Sequence, residues 1–209
     1  MNRKIAKLQI GVMGGAFEYS KKAIIASYEI GKEIAKQDCV LITGAASGIP
    51  YASTIGATEN NGLSIGVSPA NNAEEHYKIF KKPLDGYDTI IYTGMGYNGR
   101  GAMLTSSCDG IIYIGGEFGT LIEFGQGFYS GKVLGVLLGV GGITDNIENI
   151  LEKIKTNFGS NVIFGTEPKE LVQKVIKEVE KDKISLKYIV DKSNKFGKKV
   201  REIIENDKK

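Results

Sequence analysis

The sequence predicts an α/β protein: a Rossmann-like three-layer fold with a mostly parallel sheet of about seven strands. Three observations lead there. Seven short apolar runs alternate with stretches of helical periodicity. The runs are apolar on both faces, as strands covered by helices on both sides must be. Glycines cluster where the runs end. There are 28 in 209 residues, about twice the usual share of ~7%. They follow no fixed period, which excludes a collagen-like chain, and they suit tight strand-to-helix turns.

Each element has its own signal. Leu8–Gly14 reads as the first buried strand, an apolar run without a cleavable leader pattern. A helix over 20–37 follows, with Ser20 as N-cap and Ala23, Ala26, Ile30 and Ile34 near helical spacing. Cys39–Gly44 is the second strand, and Pro50 suits the first turn of the helix that runs to about Asn60. Leu63–Pro69 and Asp88–Gly94 are the third and fourth strands, the latter leading to a helix near 99–108. Asp109–Gly116 precedes a helix near 119–130, and Lys132–Gly139 precedes one near 145–157. Asn161–Gly165 is the seventh strand. Thr166 and Pro168 then start a helix with Leu171, Val172, Val175, Ile176 and Val179 on one face.

Composition narrows the function classes. Residues 181–209 hold ten Lys/Arg against five Asp/Glu, whereas the rest of the chain is slightly acidic. The body therefore carries no nucleic-acid signal, and the basic character sits in the tail. We read 1–180 as a Rossmann-like nucleotide-binding domain and 181–209 as a basic extension. In that extension Phe196, Val200, Ile203 and Ile204 form the stripe of a docking helix. Such a stripe needs a surface to cover, on the body or on a sister subunit, and it is one part of the case for a homo-oligomer, most simply a dimer. Cys39 and Cys108 read as small buried thiols of a reducing cytoplasm. His76, the sole histidine, reads as a surface loop residue, and no metal site is expected. No apolar run is long enough to span a membrane.

Thr43–Pro50 (TGAASGIP) resembles the cofactor loop of short-chain dehydrogenases, and Tyr188–Lys192 offers that family's Tyr-x-x-x-Lys pair. The reading fails on three counts. A strand and a helix precede the loop, its last glycine is Pro50, and Val175 stands where the family's serine is expected. Tyr-x-x-x-Lys is also a cheap pattern, recurring at Tyr28–Lys32 and Tyr77–Lys81.

Residues 100–123 carry a more specific match. Arg100, Asp109, Gly116, Gly119, Thr120 and Glu123 fall without a gap on the pattern of the LOG (lonely guy) family: Arg-Lys, an Asp opening a strand, then PGGxGTxxE. The chain resembles a divergent prokaryotic branch of that family and of its wider SLOG Rossmann-like superfamily. Residues 8–165 share the resemblance, more loosely at Gly14-Gly15 and around Gly44 and Gly48. The family's Pro is Gly115 here, its second Gly is Glu117 and its Lys is Gly101. The lysine decarboxylase label often attached to these proteins gains no support, because no glycine-rich loop carries a lysine for a Schiff base.

The resemblance implies hydrolysis of the N-glycosidic bond of a nucleoside 5′-monophosphate, a purine nucleotide by preference, without a cofactor. Arg100 and Glu123 would be the catalytic pair. Glu123 would act on the positive charge that develops on the ribose, and Arg100 would orient phosphate or Glu123. Gly14, Gly15, Gly44, Gly48, Gly116, Phe118, Gly119 and Thr120 would bind phosphate or nucleotide, the last four at a helix start where anions are favoured. A valine at Gly119 is expected to crowd that turn. Two alternatives stand beside this. Arg100 and Glu123 would also suit a plain ion pair between neighbouring helices. The protein as a whole would also suit a non-catalytic carrier of a nucleotide or phosphorylated cofactor, similar to molybdenum-cofactor carriers.

Overall fold

The structure is a computed structural model that describes residues 6–17, 19–156 and 158–206, with side chains left out at 182–197 and 199. Seven strands form one sheet: β1 (Gln9–Gly14), β2 (Val40–Thr43), β3 (Leu63–Ser68), β4 (Thr89–Tyr92), β5 (Gly110–Ile114), β6 (Val133–Leu137) and β7 (Asn161–Gly165). All neighbours run parallel, in the order β4-β3-β2-β1-β5-β6-β7. The helices are α1 (Lys21–Lys36), α2 (Ile49–Thr58), α3 (Ala73–Lys78), α4 (Gly96–Ser107), α5 (Phe118–Tyr129), α6 (Ile147–Leu151) and α7 (Pro168–Asn206). The expected fold class is therefore observed, and the sheet is wholly parallel. Among the described residues no helix is long and apolar enough to cross a membrane.

Burial follows position in the sheet. Every residue of β5 and β6 is buried, whereas edge strand β4 alternates, with Ile91 exposed. That is the pattern of a sheet covered on both faces at its centre and thinning at its rim. Local chemistry sets the element starts. Ser20 Oγ accepts the Ala23 amide at 3.1 Å and caps α1 as expected. Asn72 does the same for α3, accepting the Glu75 amide at 2.9 Å. Two aspartates placed just before strands extend the ladder. Asp109 accepts the Gln9 amide at 2.8 Å and Asp88 the Ser64 amide at 2.7 Å. Asp109, which falls on the family pattern, thus joins β1 to β5.

Helices α1 and α2 touch backbone to backbone. A Cβ on Gly31 would lie 1.9 Å from the Ser53 carbonyl oxygen, and one on Gly56 would lie 2.0 Å from that of Tyr28. Glycine to alanine in a helix ordinarily adds about 1 kcal/mol of stability. Here the sign should reverse. Gly31→Ala should cost about 1–3 kcal/mol through overpacking, read as a lower midpoint in urea unfolding.

Two local readings need correction. His76 does not lie on the surface. It is fully buried in α3, a helix in a stretch to which the sequence reading assigned no element. Its Nε2 donates to the Pro83 carbonyl (3.0 Å) and its Nδ1 accepts from the Ser68 hydroxyl (2.7 Å). Burial lowers its pKa, so the neutral ring is the stable form. The second correction concerns the helix expected over 145–157, which is shorter: a 3₁₀ turn at Ile143–Asn146 leads into α6. Both cysteines are buried, as expected, and burial pushes the Cys108 thiol up to about 12.

The chain divides into two compact units, Met1–Ile176 and Lys177–Lys209. In the second, Val200, Ile203 and Ile204 are exposed. The side chains of Phe196, Tyr188 and Lys192 lie outside the described residues. In the first, the strand order reverses direction between β1 and β5. In open parallel sheets, ligands bind at that switch, outside the carboxyl ends of the strands.

Candidate functional site

A cleft of about 210 Å³ opens at the switch between β1 and β5. One wall is the end of β1 and the turn after it (Met13 to Phe17), and Gly44 and Ala46 from the turn after β2, with Pro50 at the start of α2, also line the cleft. The opposite wall comes from the start of α5, with Glu117, Gly119, Thr120 and Glu123. Helix α4 contributes Tyr97, Arg100 and Leu104, and the segment after α3 contributes Lys82.

The expected site residues are brought together only in part. Gly14, Gly15, Gly44, Arg100, Gly119, Thr120 and Glu123 line the cleft. Gly48 lies outside its lining, at the N-cap of α2. Gly116 and Phe118 face a neighbouring depression formed with Gly142 and Ile143. Phe118 is 81% exposed, because the positive φ of Gly115 and Gly116 turns the chain before α5 begins.

Arg100 and Glu123 form an ion pair at 3.2 Å. Arg100 is only 8% exposed. Its seat is made by Gly44, where a Cβ would lie 2.0 Å from the Arg100 Nη1 atom. The glycine of the TGAASG turn therefore makes room for the guanidinium. Glu123 is fixed at its backbone, where its carbonyl accepts the Tyr113 hydroxyl at 2.9 Å. Burial pushes the Glu123 carboxyl above its ordinary value, and the Arg100 charge opposes that shift. The Arg100 Nε atom is buried and has no hydrogen-bond partner among the described residues, while the side chain as a whole lines the cleft.

Gly119 differs from the packed glycines. A Cβ there would meet no atom within 4 Å. The expected crowding of the turn is thus absent, and the missing side chain opens cleft space beside the first amides of α5. Glu117, an exposed residue at the mouth, also borders this space.

Sequence reasoning missed Lys82, Phe17 and Tyr97. Lys82 is 3% exposed and its Nζ lies 4.1 Å from the centre of the Phe17 ring. Burial lowers the Lys82 pKa, and the Arg100 charge lowers it further. Its neighbour Lys81 is exposed. Nothing in "KKP" distinguishes the two.

Fold and cleft define a Rossmann-like α/β protein with a cleft at the topological switch point. The chain belongs to the SLOG cluster4 family, whose sequence profile matches residues 7–172. An uncharacterized protein of Archaeoglobus fulgidus is 34% identical over 127 residues, which are 60% of this chain and 76% of that one. Among solved structures, a protein named TM1055 superposes with a TM-score of 0.71 at 24% identity, covering 81% of this chain and 99% of its own. The molybdenum cofactor binding protein of the phototrophic bacterium Rippkaea orientalis superposes with a TM-score of 0.69 at 27% identity, covering 84% and 99%.

Proposed function

We propose that this protein binds a phosphorylated small molecule, a nucleotide or a phosphorylated cofactor, in the switch-point cleft, and that it holds or carries that ligand without turning it over. The observation that carries this reading is Arg100: a nearly buried guanidinium with an unpartnered Nε, beside the open start of α5. A phosphate oxygen would pair with the guanidinium from the cleft side, and the α5 amides at Gly119 and Thr120 would add a second point of attachment. The likeness to a molybdenum cofactor binding protein supports a carrier. The apolar stripe at Val200, Ile203 and Ile204 would suit the homo-oligomer expected from sequence.

A second reading rests on Glu123. An acid with a raised pKa, in the same cleft and on the LOG-type spacing from Arg100, suits N-glycosidic hydrolysis of a nucleoside monophosphate. Calorimetric titration with AMP and inorganic phosphate, with chromatography of the mixture for free base, separates the two. Binding without base release is the expected result. Gly119→Val should weaken binding about tenfold, since its side chain meets no protein atom within 4 Å at Cβ and would project from the cleft lining beside the first amides of α5. Absence of binding to any phosphate monoester would remove the proposal.

A further inference from the structure

We propose that Lys82 is the second cation of the ligand's anion site and that, with Arg100, it selects a dianionic phosphate monoester over a monoanionic diester. This rests on the reading of the cleft as a phosphate-ligand site. Lys82 is nearly fully buried, yet no carboxylate pairs with it among the described residues. Its Nζ meets the face of Phe17, which is itself 78% exposed, so the contact compensates the lost hydration only in part. Of the two acids that line the cleft, Glu123 pairs with Arg100 and Glu117 is exposed. Lys82 is thus the cation whose charge no buried carboxylate of the cleft offsets. A dianion gains more Coulomb attraction from that cation than a monoanion does.

The fold holds Lys82 inward deliberately. Lys81 adopts a left-handed backbone with φ of 54°, a conformation uncommon for lysine. That bend sends Lys81 to solvent and Lys82 into the cleft. The next residue, Pro83, is tied through its carbonyl to buried His76, and the Lys82 amide donates to the His76 carbonyl at 3.2 Å. A structure that strains one residue to bury an unpaired charge beside another cation fits a ligand site better than a stability device.

The test compares wild type, Lys82→Met and Lys82→Arg in calorimetric titrations with AMP, adenosine and cyclic 3′,5′-AMP, each with a thermal melt. Lys82→Met should lose tenfold or more in affinity for AMP, less for the cyclic diester, and less than twofold for adenosine. Lys82→Arg should recover most of the loss. Lys82→Met should melt no lower than wild type, because methionine fills the same space without a charge to desolvate. Undiminished AMP affinity in a folded Lys82→Met would overturn the proposal, and if Gly119→Val still weakens AMP, the phosphate reading survives it. An equal loss for all three ligands would also overturn it, since Lys82 would then act through cleft shape. A wild type that binds no phosphate monoester sinks both readings together.

Discussion

Arg100→Ala should lower affinity for a phosphate monoester by about 10²-fold, because each charge-assisted hydrogen bond it supplies contributes roughly 1.5–3 kcal/mol. The loss has two sources. The ligand forfeits the donors of a guanidinium seated against Gly44. Glu123 also keeps its burial and loses the cation that holds its pKa down. The second source predicts a pH signature. An acid whose folded pKa lies above its unfolded value destabilises the fold as pH rises through that window, since the unfolded chain gives up the proton first. Removing Arg100 raises the folded value further. The variant should therefore fall further below wild type in urea as pH rises through the raised Glu123 value, and approach it as pH falls and Glu123 takes a proton. A variant that binds AMP as tightly as wild type would take Arg100 out of the site and with it the main support for the proposed function.

Much of this arrangement was legible in the chain. Parallel strands buried on both faces, such as β5 and β6, read as unbroken apolar runs, and even the half-exposed edges β4 and β7 are apolar enough to stand out without tertiary knowledge. The turn glycines mark the carboxyl ends of those strands, and the Arg100–Glu123 spacing led to the pair now seen at 3.2 Å. What stayed hidden depends on contacts between distant segments. His76 looks like a loop polar residue until Ser68 and Pro83 close on its two ring nitrogens. Lys82 looks solvated until the segment after α3 brings it into the cleft lining beside Phe17. Phe118 sits in the middle of the glycine motif, yet two consecutive positive-φ residues turn it out of the cleft. Gly44 and Gly119 read alike in sequence; one makes room for a guanidinium and the other faces open space.

Glu123→Gln should leave phosphate-ligand affinity intact or raise it a few-fold, with no base released by either protein. Glutamine keeps the size of the side chain and an oxygen that can accept from the Arg100 Nη1 atom, so the guanidinium stays in its seat. What disappears is a negative charge inside a cleft that receives an anion. Its removal favours binding most at pH values where the wild-type carboxyl is ionised. The gain should therefore shrink as pH falls and Glu123 becomes protonated in the wild type. The hydrolytic reading predicts the opposite pattern. An acid that acts on developing ribose charge works in the transition state. Its neutralisation would lower turnover by about 10²-fold or more with affinity little changed. Release of base by wild type, lost in Glu123→Gln, would replace the carrier with an N-glycosidase. Binding that strengthens in Glu123→Gln, with no base detected from either protein, leaves Glu123 as the partner that holds Arg100 in place for its ligand.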